Sequence, residues 1–203
     1  MTESGPRAPA PASGAFADAL ADLRAAHPRP EVRLHPIPDP PGLAPFAVTL
    51  AADVLDPHGA EADPLATGRF VLLHDPAGSP VWRGDFRVVT YIRASLEPDV
   101  ATDHLAGAVA WDWLAEALER RHAAHTEAGG TATRQLAEHF GTLALEPGWT
   151  DIELRASWTP GPRDLGAHLE AWSDMICAFA GLPPLADDDV PAAVPLRPRR
   201  LRP

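Results

Sequence analysis

The sequence predicts an α+β domain of two layers, with about five antiparallel strands in one sheet and helices on one face of it. Three observations carry that expectation. Residues 67–97, TGRFVLLHDPAGSPVWRGDFRVVTYIRASLE, hold two strand-like runs joined by Pro/Gly turn chemistry. Residues 151–159 alternate apolar and polar side chains, as a half-buried strand requires. Three other stretches repeat their apolar residues at three and four, the period of a helix with one buried stripe. In chain order the elements run helix, three strands, helix, two strands, helix.

Residues 15–26 place Phe16, Ala19, Leu20 and Leu23 at helical spacing, and Pro28 and Pro30 stop that helix near His27. Residues 28–45 are Pro-rich and read as an extended connector. Phe46, Val48 and Leu50 alternate with Ala47 and Thr49, which predicts the first strand over 46–55. Residues 56–66 combine turn formers and acids without periodicity, and read as a loop. Strands over 69–74 and 85–95 pair as a hairpin around a turn at 75–80. In the second of these strands Phe86, Val88, Thr90 and Ile92 share one face, and Arg87, Val89, Tyr91 and Arg93 share the other.

Thr102 is a suitable cap for a helix that runs to about Arg121, with Asp103 at its positive end. Its apolar arc of Leu105, Val109, Trp111, Trp113, Leu114, Ala117 and Leu118 is wide, so this helix is expected to be largely buried. Residues 131–140 fit a helix through Leu136, Phe140 and Leu143, or a strand through their threonines and flanking glycines; we read a strand. In the strand at 151–159, Ile152, Leu154, Ala156 and Trp158 oppose Glu153, Arg155 and Ser157. Asp164 opens a last helix, with Leu165, Leu169, Trp172, Ile176 and Phe179 on one stripe, and Gly181 and Pro183 end it. These periodicities converge on one core: Val71 or Leu72, Val88, Ile92, Leu154, Trp158, Val109, Trp113, Leu169 and Trp172.

A chain of 203 residues with 45% hydrophobic residues suits one domain with a full core, read over 15–184. Residues 1–14 and the Pro/Arg-rich tail 185–203 are expected to be disordered. The formal charge of −11 repels polyanions as a whole, so nucleic acid is not favoured without a local basic patch. All 17 basic residues are Arg, and the absence of Lys excludes Schiff-base catalysis, pyridoxal phosphate anchoring and a P-loop lysine. The single Cys177 excludes an internal disulfide and suits a reducing compartment, so the cytoplasm is expected. No apolar run reaches the roughly 18 residues of a membrane span, so no membrane association is expected.

The stretches TGRFVLLHDP, WRGDFRVVTYIRASLE, AWDWLAEAL and ELRASWTP resemble an uncharacterised actinobacterial family of unknown function, from about Phe16 to Pro184. That resemblance implies one intact domain and gives no residue a role. The element order resembles the two-layer secretion-chaperone-like fold, which implies chaperone-like or regulatory protein binding.

Six candidate sites follow from residue chemistry. His122 and His125 stand one helical turn apart if the central helix continues through them, with His139 or His74 as a third metal ligand. HxxH alone also describes solvated histidines at the negative end of a helix, and no metal or cofactor is expected. Asp112 and Glu116, four apart, read as a solvated helix face rather than an acid–base pair. Cys177 falls beside an apolar stripe and reads as core. Ser157 lacks the flanking glycines of a hydrolase elbow. Arg69, Arg83, Arg87, Arg93 and Arg155, with Tyr91, form the remaining constellation, which either receives an anionic ligand or pairs with Asp85, Glu97, Asp151 and Glu153 across strands. In the tail, Pro195-Leu196-Arg197-Pro198-Arg199 matches a PxxP-type ligand, a pattern common in Pro- and Arg-rich segments. The function expected is non-enzymatic binding of a protein partner, with a homodimer as one form of it. The alternative is an anionic ligand, nucleotide or RNA on the sheet face that carries Arg69, Arg87, Tyr91, Arg93 and Arg155.

Overall fold

The structure is a computed structural model, and it describes residues 14–56, 63–96, 105–146, 148–161, 164–184 and 198–199. Helix α1 (Gly14–Ala25) leads into strands β1 (Val32–Ile37), β2 (Phe46–Val54), β3 (Ala66–Ser79) and β4 (Gly84–Leu96). Helix α2 (Ala106–Arg120), strand β5 (His125–Ala137), strand β6 (Trp149–Pro160) and helix α3 (Leu165–Phe179) follow. All strands pair antiparallel in one sheet of order β1-β2-β3-β4-β6-β5. The α+β class and the single antiparallel sheet are therefore as expected, while six long strands replace about five.

The extra strand is β1, inside the stretch read as a connector. Pro36 is compatible with it because β1 is an edge strand, where a missing N–H need not break a ladder. The hairpin tip also moves. β3 continues through Asp75 and Pro76 to Ser79, with a register shift after His74, and the turn lies at residues 80–83. Asp75 accepts a hydrogen bond from the Ala77 N–H at 3.0 Å and Gly78 takes φ +75°, so the turn residues form an irregular extension rather than the tip. β5 begins at His125, six residues earlier than read, and ends at Ala137. The short strand β7 (Pro198–Arg199) pairs with Ser95 and Leu96 past the end of β3. The rest of the tail, residues 1–13 and the Thr102 cap lie outside the described residues.

All three helices pack on one sheet face. A Cβ added at Gly68 of β3 would sit 2.7 Å from Trp172 and Ile176 of α3, so glycine is what lets that helix approach the strand. A Cβ at Gly130 of β5 would meet Trp111 of α2 at 2.9 Å, and Phe16 of α1 stacks against Phe46 and His74. Leu72, Val88, Ile92, Leu154, Trp158, Trp113, Leu169 and Trp172 are all buried in the core, as the periodicities predicted, so of Val71 and Leu72 it is Leu72 that faces the helices, while Val71 is on the opposite face of the sheet. Val109 is only partly buried at the core margin and Leu105 is 54% exposed, because α2 turns its arc toward Ala106, Ala110 and Leu114.

Both long C-terminal helix ends close by the same device. At α3, the Gly181 N–H reaches the Ala178 carbonyl and the Leu182 N–H reaches Cys177, with Gly181 at φ +70°. At α2, His122 takes the left-handed position at φ +53°, and His122 and Ala123 bond Glu119 and Leu118 in the same pattern. The helix therefore stops before His122, and His125 begins a strand. The helical pairing of His122 with His125 does not exist.

Candidate functional site

Strand pairing lays the outward side chains of the sheet into rows. One row runs Arg33, Asp53, Thr67, Arg93, Glu153, Thr133. The next runs His35, Ala51, Arg69, Tyr91, Arg155, Thr131, and the third Ile37, Thr49, Val71, Val89, Ser157, Gly129. Arg87 stands beside Leu73 in a fourth row, and Asp151 beside Ser95 on the other flank. All five site residues read from the sequence thus share the face opposite the helices. Among the described residues no helix packs on that face. Arg83 is apart from them, in the turn, where it pairs with Glu127 at 2.9 Å.

The arginines are not equivalent. Arg93 grips Asp151 through Nε (2.9 Å) and Nη2, while Ser95 Oγ donates to the other Asp151 oxygen at 2.6 Å. That hydrogen bond to Asp151 holds the Arg93 guanidinium above its ordinary pKa. Arg155 donates to Glu153 at 2.9 Å and lies over the Tyr91 ring, 5.4 Å from its centroid. Tyr91 donates its hydroxyl to the same Glu153 at 3.0 Å, and burial followed by that bond pushes the phenol upward. Arg87 bonds neutral acceptors: the Glu127 carbonyl at 2.9 Å, Thr159 at 3.1 Å and Ser157 at 2.7 Å. Desolvation lowers its pKa, with the Glu127 charge opposing. Among the described residues the Arg69 guanidinium has no hydrogen-bond or ion-pair partner.

Cross-strand pairing is therefore correct for Arg93, and Arg155 takes its carboxylate from two residues along its own strand. Among the described residues Asp85 takes no arginine; its carbonyl meets the His74 ring at 3.1 Å. Glu97 lies outside the described residues. Between Arg69, Tyr91 and Arg155 on one side and Ser157 on the other is a shallow groove of about 280 Å³, floored by Val71 and Val89. This is below the roughly 300–1,000 Å³ of a typical small-molecule pocket, so it fits one or two side chains rather than a nucleotide. The sequence does not place Val71, Val89 and Ser157 in this site: it reads Val71 as a core candidate and Ser157 only as a failed hydrolase nucleophile, because parity is visible in a sequence and the order of the strands is not.

The other candidates lose their chemistry. Cys177 is fully buried, and desolvation drives its thiol up to about 12, which leaves it protonated and inert. Ser157 Oγ is held by Arg87. Asp112 and Glu116 are both exposed on α2. His74 is buried and stacked on Phe86 at 4.2 Å, on the helix side of the sheet. Among the described residues no three His, Cys, Asp or Glu side chains gather as metal ligands, and no helix is long and apolar enough to cross a membrane.

The profile of one protein family, DUF3000, described as a protein of unknown function, matches residues 12–190. Comparison with curated proteins and with solved structures finds no match.

Proposed function

We propose that this chain, which belongs to the DUF3000 family of proteins of unknown function, is a non-enzymatic module that binds a segment of another protein on the bare face of its sheet. The observation that carries the reading is the asymmetry of the two faces. One is packed by helices α1, α2 and α3, and the other bears a side-chain-sized groove lined by Arg69 and Arg155. The tied Ser157 hydroxyl argues against nucleophilic chemistry there, and the buried, protonated Cys177 argues against it in the core behind the sheet. A chaperone-like or regulatory role in the cytoplasm of an actinobacterium is the setting we infer from the reducing-compartment argument and the resemblance of the sequence. A photo-crosslinking amino acid at Thr131, beside Arg155, tests the reading against one at Asp112 on the helix side. Protein crosslinks in the native cell from position 131 and not from 112 are expected. Equal yields from the two positions, or RNA as the main adduct at 131, overturn it.

A further inference from the structure

The groove names the chemistry of its occupant, an inference that rests on the binding reading above. The outward side of the sheet carries Arg33, Arg69, Arg87, Arg93 and Arg155 beside Asp53, Asp85, Asp151 and Glu153, and the Glu127 charge also acts on Arg87, so this face is near charge balance on a chain whose formal charge is −11. At the groove itself one cation is left unmatched. Asp151 is taken by Arg93, and Glu153 is shared by Tyr91 and Arg155. Among the described residues, Arg69 at one wall and Arg87 behind Ser157 at the other touch no carboxylate. An anionic group brought to Arg69 meets a guanidinium with every donor available for a bidentate contact.

The floor adds a second requirement. Arg69 and Val71 are two residues apart on one strand, so their side chains project on the same face about 7 Å apart. An extended peptide presents its own side chains at that repeat. A segment lying along β3 thus sets an Asp or Glu over Arg69 and, two positions away, an apolar residue over Val71 and Val89. RNA fits worse. Its bases need an open aromatic face for stacking, and the one tyrosine has its hydroxyl tied to Glu153 and its ring covered by Arg155.

We propose that this groove selects extended protein segments in which an acidic residue lies two positions from an aliphatic or aromatic one. Arg69 takes the carboxylate, and Val71 with Val89 takes the apolar side chain. The test is selection of a displayed random-peptide library on the full-length chain and on Arg69→Gln and Arg69→Glu. Arg69 is exposed and unpaired among the described residues, so both variants should melt with the wild type. The expected result is enrichment of acidic-x-apolar peptides that protect β3 and β4 from hydrogen exchange. Their affinity should fall roughly 10- to 100-fold in Arg69→Gln, the worth of one charge-assisted contact. Arg69→Glu should instead enrich Lys or Arg at the acidic position. Peptides that protect β3 and β4 but lack an acid, or bind Arg69→Gln like the wild type, overturn the selectivity and leave the face reading standing. No enrichment over a blank surface, or protection confined to the helix side, overturns both.

Discussion

Acid should destabilise this protein through one buried ring. Trp158 Nε1 donates to His168 Nδ1 at 3.0 Å, and both residues are wholly buried. With Nδ1 accepting, the neutral imidazole must carry its proton on Nε2, which has no hydrogen-bond partner. A second proton has to displace the Trp158 bond and place a cation in the core. Desolvation therefore pulls the ring from its ordinary 6.5 to about 4; the His125 charge acts in the same direction and Asp164 opposes both. The folded-state value is the lower one, so below 6.5 the unfolded chain binds the proton first. The stability due to the neutral ring is fully present above pH 6.5, drains away as pH falls toward 4, and loses nothing further below it. The gap corresponds to about 3 kcal/mol, a large share of the roughly 5–15 kcal/mol by which domains are stable. Urea titrations at pH 7.5, 5.5 and 4.5, followed by tryptophan fluorescence, measure it. His168→Asn keeps an acceptor near Trp158 but cannot titrate, so its stability should fall about 2–3 kcal/mol less than the wild type's over that range. Parallel losses in the two proteins refute the reasoning.

Three further outcomes are expected. Leu154→Ala removes a side chain that is 1% exposed and should cost roughly 2–5 kcal/mol in chemical denaturation; a cost under about 0.5 kcal/mol contradicts its core placement. Gly68→Ala puts a methyl 2.7 Å from Trp172 and Ile176 and should cost about 1–3 kcal/mol, read as a lower melting temperature; an unchanged melt means α3 does not lie against β3 as described. Arg93→Gln strips the nearly buried Asp151 of its cation and should cost about 1–3 kcal/mol, whereas Arg155→Gln, with its side chain 65% exposed, should cost under about 1 kcal/mol. Equal costs in urea titration would show that burial does not rank these pairs.

Where one face of an element is buried, its character could be read in the chain. The apolar stripe of α3 and the alternation of β6 between Ile152 and Trp158 each follow one period, although α3 is buried nearly all round and Asp151 and Thr159 are buried on the polar side of β6, and Gly181 marks the end of α3 because a left-handed residue is needed there. The failures have physical causes. β1 is an edge strand crossed by Pro36, so neither composition nor a central ladder marks it. β5 is exposed or half exposed along its whole length, so no alternation was imposed on it and its start was invisible. His122 performs the task of Gly181 without being glycine, so nothing in the sequence marks the helix end there, and the expected histidine pair is one that the backbone does not make.

The site shows the same division between parity and register. Parity alone puts Arg87, Tyr91 and Arg93 on one face, since successive strand residues alternate. Which cation keeps its charge unmatched is a matter of register and of side-chain reach. Arg93 stands opposite Glu153 yet grips Asp151, diagonal to it, and that leaves Glu153 for Tyr91 and Arg155. Arg87 is carried past the carboxylates by Thr159, Ser157 and the Glu127 carbonyl, the last presented by the bulge between Thr126 and Gly129. Arg69 at the groove and Arg33 toward the β1 edge are what remain among the described residues after those pairings, and no count of charges in the sequence isolates them. The net charge of −11 points the other way, because a whole-chain sum averages over two faces that the sheet keeps apart. A surface acidic overall but locally cationic discriminates between anions by shape: long polyanions meet repulsion beyond the groove, while a single carboxylate on an extended strand meets only Arg69 and its neighbours.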